Sequence, residues 1–446
     1  MSDRQLLTGW GRTAPTAATV RPVHAEEVAD LVRAAGERGV LARGLGRSYG
    51  DAAQNAGGAV LLLPADGGVK VDVATGEATV DAGVSFARLI SVVLPLGFFP
   101  PVTPGTAHVT MGGAVASDVH GKNHHGEGSF GHHLTWIRLV DGTGAERLLT
   151  PVETPEEFWA TLGGMGLTGV VLSVGLRLKR VDSAHIEVEL ERLPDLDHAL
   201  IRMGEADSST YSVAWIDLLA TGRHLGRSVL MRGEHAAADD LPPGLAREPL
   251  QPPRGRHLGV PFAPPVSLVT KASVRVFNEL YFRRAPRRPV RMLESYGSFF
   301  HPLDAVDGWN RLYGRRGFTQ YQFVVPLHAA DALRHVISRL ASSGHSSFLA
   351  VLKRMGPGDP GLLSFPEPGW TLALDLPVRP GVGPLLTELD AVVTSAGGRL
   401  YLAKDSRMTP ETLAAMYPRA EEFRAARKRM DPHSVFRSDL ARRLEL

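Results

Sequence analysis

The chain contains no cysteine. Disulfides, thiolate metal sites and a thiol nucleophile are therefore excluded, although that absence leaves the compartment open. No stretch approaches the roughly 18 uninterrupted apolar residues that a membrane-spanning helix needs. The opening MSDRQLLTGWGRTAP has no basic region leading into an apolar one, so no secretory signal is expected. Charge of one sign is missing as well. With 49 Lys and Arg against 47 Asp and Glu, the net charge of +2 is too balanced for a dedicated nucleic-acid binder. These absences lead to an expectation of a cytoplasmic or membrane-associated protein, with the periplasmic face not excluded.

The chain is rich in glycine, with 48 among 446 residues. Its length allows two or three domains with substantial cores. The most informative stretch runs from Pro104 to His133, where glycines at 105, 112, 113, 121, 126, 128 and 131 leave much of the backbone bare. Between them stand polar groups, among them Thr110, Ser117, Asp118, His120 and Lys122. Glycine lets a backbone approach a ligand closely at an entropic cost. So many glycines in one segment point to a wrapper around a large polar ligand, first of all a cofactor carrying phosphates. A second glycine loop, ARGLGRSYGDAAQN (Ala42–Asn55), follows directly on a β-type run. Successive backbone N–H groups in such a loop form an anion-binding nest. Gly44 and Gly46 lack the full G-x-G-x-x-G spacing, so the loop is also consistent with a plain turn.

Periodicity predicts helices over 24–38, 86–96 and 155–162, and strands over 40–42, 59–63, 69–73, 78–82 and 169–181. A hairpin is expected over 134–149, turning at Asp141 to Gly144. Farther on, strands are expected at 186–193, 211–219, 318–326, 348–356 and 370–378, and helices at 267–282, 327–341, 383–396 and 420–430. The Pro- and Arg-rich stretch 242–265 is the least structured by composition.

His120, His124, His125, His132 and His133 invite a metal reading, but adjacent histidines do not converge on one ion from a regular element. No metal is expected, and His120 and Lys122 are the members suited to touching a cofactor or anion. Lys404, in GGRLYLAKDSR, is either a surface ion-pair member or a cation aimed into a cleft. Gln320 and Gln322 project to one side of a strand, which implies a polar cavity or a wet surface. The run Arg283 to Arg288 beside an amphipathic helix is either a solvated charge cluster or suited to an anionic membrane surface.

At these residues the sequence resembles the vanillyl-alcohol-oxidase-type flavoproteins, and within them the decaprenylphosphoryl-β-D-ribose 2′-oxidase family. The strings ARGLGRSYGDAAQN, HGKNHH, SFGHH, FWATLGG, HPLD, QYQFVVP, LSFPEPGW and AKDSR carry that resemblance, in order, over nearly the whole chain. It implies a two-domain α+β fold of the PCMH type. Residues 1–182 would form the FAD domain, from two α+β subdomains. Residues 183–398 would form a substrate domain with an antiparallel sheet, and 399–446 would return to the FAD domain.

By the same resemblance the FAD is non-covalent, because Arg47 stands where related enzymes carry a flavin-linking histidine. The cofactor would lie against Arg43, Gly44, Leu45 and Gly46, then Arg47, Ser48, Tyr49, Gly50 and Asp51. Gly105 and the run Thr110, Met111, Gly112 and Gly113 would also face its pyrophosphate. Ser117, Asp118, Val119, His120, Val171 and Tyr401 would touch its remainder.

The implied reaction is oxidation of the ribose 2′-hydroxyl of a polyprenyl-phosphate sugar, the first half of an epimerisation that supplies the arabinose donor for cell-wall arabinan. A short-chain reductase would be the partner and the membrane surface a peripheral contact. Lys404 would polarise the hydroxyl, and the base stays open among Lys404, Tyr49 and His120. Lys122, Gln320, Gln322, Trp215 and Ala373 would surround the substrate. Ala373 replaces a cysteine of relatives that nitro-aromatic inhibitors trap covalently, so no such trapping is expected here. Phe300 and Val213 each replace a hydroxyl-bearing residue. The alternative readings are an FAD-dependent alditol or aldonolactone oxidase and, in another class, a metal- or lipid-binding protein without redox chemistry.

Overall fold

The computed structural model describes residues 4–205, 209–252, 258–345 and 347–446. They form an α+β fold whose larger sheets have four, five and eight strands. Residues 253–257, within the Pro- and Arg-rich stretch, lie outside the described residues.

The four-stranded sheet runs Arg4–Leu7, Thr16–Pro22, Ala59–Leu62, Val40–Ala42, with the first pair antiparallel and the others parallel. The helix expected over 24–38 is shorter: a 3-10 turn at Ala25–Glu27 followed by Val28–Arg33. Residues 34–39 are needed instead for the reversal that ends at Gly39 (φ +67°), where Val40 N–H meets the Val435 carbonyl at 2.9 Å. Only glycine takes up that left-handed backbone without penalty.

The five-stranded sheet is antiparallel throughout, in the order Val69–Asp72, Glu77–Asp81, Val170–Arg177, Leu134–Val140, Glu146–Leu149. Its hairpin closes as expected, because the Asp141 carboxylate accepts from Thr143 N–H at 2.9 Å and Ala145 N–H at 3.1 Å. The helix Phe86–Val93 lays Phe86, Leu89, Ile90 and Val93 against this sheet at helical spacing, capped by Ser85.

The eight-stranded sheet is also antiparallel: Val290–Ser295, His185–Leu193, Ser228–His235, Tyr211–Ile216, Ala350–Met355, Gly369–Pro377, Phe318–Pro326, Arg399–Leu400. Its strands alternate by side. One face sends Tyr321, Phe323, Leu372, Leu374, Leu352 and Ala214 into a core with the helices Leu196–Gly204, Ala330–Ser343 and Val382–Ser395. The other face is left to line a cavity. Among the described residues no helix is long and apolar enough to cross a membrane.

After Leu400 the chain returns to the four-stranded sheet. Asp439 N–H donates to the Gln54 carbonyl at 2.7 Å. Arg443 grips both Asp51 carboxylate oxygens at 2.8 and 2.9 Å and reaches Asp405 at 2.9 Å. Asp405 is almost wholly enclosed. Truncating the guanidinium would leave that carboxylate short of its cation, which costs far more than losing an exposed pair. Arg443→Ala is therefore expected to destabilise the protein by about 2–4 kcal/mol, read as a lower midpoint in urea titration. Exposed Arg419→Ala, whose partner is Glu422, should change it by about 0.5 kcal/mol or less.

Candidate active site

A cavity of about 570 Å³ is walled by residues from all three sheets and by both glycine-rich segments. Its best-prepared part is the loop after Val40–Ala42. The N–H groups of Gly44, Leu45, Gly46, Arg47 and Ser48 have no hydrogen-bond partner among the described residues, while Arg43 and Tyr49 on either side are paired to Leu61 and Ala403. The Arg43 guanidinium staples the loop from beneath, donating to the Ala53 and Thr8 carbonyls at 2.7 Å each. A Cβ on Gly44 would lie 2.3 Å from Thr110 Oγ1, so the two glycine segments touch only because that side chain is absent. A run of successive N–H donors without protein partners suits a pyrophosphate. The Arg47 guanidinium lies 3.8 Å over the Trp10 ring, and its Nε is buried without a partner.

The second glycine segment differs from a flexible wrapper. It contains the helix Met111–Ser117, which neither Gly112 nor Gly113 favours by propensity. Tertiary packing holds it: Met111, Ala114 and Val115 are fully buried, and Gly112 sits where a Cβ would press on Ala82 at 3.2 Å. Its first N–H groups are already committed. Met111 donates to Val84, Gly112 to Ala82 and Gly113 to the capping Thr110 hydroxyl. This turn therefore lines the cavity with Thr110, Gly112 and Gly113 while its own N–H groups are taken up within the protein.

Four of the expected cofactor contacts do not reach the cavity. Gly50 is wedged against the Asp405 carbonyl, 1.8 Å from where its Cβ would stand. Asp51 is held by Arg443, and Met111 belongs to the core. Asp118 is fully buried at φ +38°, where its carboxylate accepts from Gly131 N–H at 3.0 Å and from the Ser364 hydroxyl. Burial and the neighbouring Asp359 push its pKa well up. The remaining expected cofactor contacts, Gly105, Ser117, Val119, His120, Val171 and Tyr401 among them, do line the cavity. Tyr401 donates to the Ser117 carbonyl at 2.8 Å, fixing that wall.

The ceiling is the free face of the eight-stranded sheet. Register places Gln322 beside Ala373, Ala373 beside Val351 and Val351 beside Trp215, a single row across four strands. Trp215 is pinned by donation to the Phe348 carbonyl at 3.0 Å. Gln322 Nε2 lies 3.0 Å from His120 Nε2. With the amide donating, the imidazole proton sits on Nδ1, which is buried and unpartnered. Gln320 donates to Asp375 Oδ1 at 2.6 Å. Val213 and Phe300 are wall residues too.

Three half-buried lysines line the cavity. Lys404 lies 4.0 Å over the Tyr49 ring, and burial brings its pKa down to about 7, with Asp375 raising it and Lys353 lowering it further. Lys353 is lowered to about 8 by burial. Lys122, which donates to the Phe299 carbonyl and stacks on that ring, is lowered to about 7, again by burial first. Asp375 is pushed up to about 7 by burial against the pull of Gln320 and Lys404. Burial also drives His120 well below and Tyr49 well above their ordinary values.

Lys353 and Asp375 are the functional candidates that sequence reading missed. The available signal was charge within two largely apolar strands, Lys353 beside Arg354 in AVLKRM and Asp375 in GWTLALDLP, where charged groups are seldom enclosed without a purpose. The other histidines are structural. His124 contacts Ser129 and Gly356, His125 the Ser209 carbonyl and His133 the Glu127 carbonyl.

Residues 16–150 match the FAD-binding domain family and residues 369–444 the D-arabinono-1,4-lactone oxidase family. The chain is 44% identical over 452 residues to decaprenylphosphoryl-β-D-ribose oxidase of Mycolicibacterium smegmatis, covering 99% of this chain and 97% of that one. It is 42% identical to an uncharacterised protein of Streptomyces coelicolor, over 81% of this chain and 100% of the relative. Alditol oxidase of a Streptomyces species is 31% identical over 39% of this chain and 42% of its own. The unpaired loop donors and the size of the cavity fit FAD. Gly44→Ala, which must displace the Thr110 cap, should yield folded protein that has lost most of its flavin. The ratio of absorbance at the flavin band to that of the protein, together with an unchanged far-ultraviolet circular dichroism spectrum, checks this.

Proposed function

The chain belongs to the decaprenylphosphoryl-β-D-ribose oxidase family, and from that premise we propose that it oxidises the 2′-hydroxyl of a polyprenyl-phosphate pentose, with Lys404 taking the hydroxyl proton. It is an FAD-dependent oxidoreductase acting on a CH–OH group. Bound FAD supplies the acceptor for the hydride that leaves carbon.

The observation that carries the role of Lys404 is its enclosure in the cavity with an amine poised near neutrality. A base works best when its pKa lies close to the working pH. The other two candidates are less suited. Tyr49, pushed well up, keeps its proton, and His120 has Nε2 occupied by the Gln322 amide. Asp375 supports Lys404 by favouring its ammonium once the proton has arrived, and Gln320 holds Asp375 in place. Lys122 and Lys353 keep the remaining space electropositive, which suits a substrate carrying phosphate. Trp215 and Ala373 form an apolar ceiling over the sugar.

FAD is held without a covalent link in this reading, supported by Arg47 stacked on Trp10 where a linking nucleophile would stand. Residues 1–182 with 399–446 hold the cofactor and 183–398 the substrate. The keto product calls for a separate hydride donor, a reductase of the short-chain type, to complete the epimerisation. The alternative, a soluble polyol or lactone as substrate, is less well supported because the alditol oxidase likeness spans only 39% of the chain.

Because Lys404 must be neutral to accept a proton, anaerobic flavin reduction by decaprenylphosphoryl ribose should speed up as pH rises through about 7. Removing the carboxylate in Asp375→Asn withdraws support from the ammonium and should move that midpoint to lower pH. Lys404→Met should slow reduction by about 10²-fold or more with flavin content retained. A pH-independent rate between 6 and 8.5, set by stopped-flow bleaching, would remove Lys404 as the base.

A further inference from the structure

We propose that the outer face of the helix Lys271–Arg284, with the segment leading into it, docks on an anionic lipid bilayer; this rests on the reading that the substrate is lipid-linked. The helix is inside out for a protein surrounded by water. Its inward side carries Val274, packed with Trp309 and Tyr313, and Asn278, which donates to Asp217 at 2.5 Å. Its outward side carries Val276 and Leu280, 60% and 66% exposed at i,i+4 spacing, with Phe277 at 41% between them. A helix on a wet surface normally turns polar side chains outward.

The approach to the helix continues the pattern. Phe262 and Val266 are 71% and 73% exposed. The Leu268 carbonyl accepts from the Ser273 hydroxyl at 2.9 Å, so this segment turns directly into the first helical turn. Exposed apolar side chains gathered this way mark an interaction surface rather than ordinary scatter.

Charge identifies the occupant. Lys271, Arg275, Arg284, Arg287 and Arg288 are exposed along the same stretch, and none has an ion-pair partner among the described residues. Arg283 alone is paired, with Glu279. Apolar anchors among unpaired arginines suit acyl chains beneath anionic headgroups. The inner edge of the same helix supplies Tyr281, whose ring lies tilted against Trp215 with centroids 4.8 Å apart and which lines the cavity. Docking would thus bring the cavity wall to the lipid surface, where a polyprenyl tail can stay in the bilayer while its sugar enters.

The full-length flavoprotein would be pelleted with vesicles of phosphatidylcholine alone and of phosphatidylcholine mixed with phosphatidylglycerol. Binding is expected to the mixed vesicles only and to weaken with salt. Val276→Asp with Leu280→Asp should lower partitioning about tenfold or more, and Arg287→Gln and Arg288→Gln by about fivefold each. All variants should keep their flavin band and their reduction by detergent-dispersed substrate. Failure of the parent to pellet, or equal pelleting of the variants, overturns the proposal. A parent dimer that the aspartate variants abolish, without vesicle binding, assigns the face to a second copy and overturns it too. Pelleting without reduction of the flavin by substrate refutes the substrate reading alone, and reduction without pelleting refutes docking alone.

Discussion

Arg443 holds together the parts of the chain that make the site possible. One guanidinium joins Asp51, at the end of the first glycine loop, to Asp405, the neighbour of Lys404. Around it the Tyr49 N–H meets the Ala403 carbonyl and Gly50 packs on Asp405. A loop with free N–H donors and a turn bearing a buried lysine are each poor at holding their own shape. Clasped to one another and to the last helix, Asp439–Leu444, they become a rigid corner of the cavity. Function is set on loops, and the scaffold that positions them is an ion-paired node almost four hundred residues apart in sequence.

The cavity works against stability in return. Three lysines lining one cavity lose hydration, which shifts each toward its neutral form, and Lys353 pushes Lys122 and Lys404 further the same way. Asp375 offsets the shift of Lys404 and Glu294 that of Lys122. An anionic ligand relieves that strain on arrival. In the function proposed above, the same residues that weigh against stability are the ones that favour a phosphate-bearing partner.

Much of the architecture was legible in local pattern. The hairpin at Asp141, the strand alternation around Gln320 and Gln322, and the helices after residue 382 follow from turn chemistry and spacing that act over a few residues. What was not legible depends on distant partners. The helix Met111–Ser117 is specified by packing against Ala82 and Val84, so its own glycines argue against it. Asp51, Gly50 and Asp118 are cofactor contacts by resemblance, yet in the fold they are engaged by Arg443, Asp405 and Ser364. Lys353 and Asp375 were overlooked because each lies in a largely apolar strand with no motif around it. Their meaning depends on which face of the sheet is covered by helices, and no short window contains that.

The row from Gln322 through Ala373 and Val351 to Trp215 has a consequence for how such a protein can change over time. Each strand faces helices on one side and the cavity on the other, so a shift of one residue would exchange the two sets wholesale. Insertions and deletions in these strands are closed to drift, whereas single replacements on the cavity side are cheap for the fold. New substrate preferences in this lineage should therefore accumulate by exchange of side chains at fixed register, at positions such as Ala373 and Val213, while chain length varies only in the connecting loops.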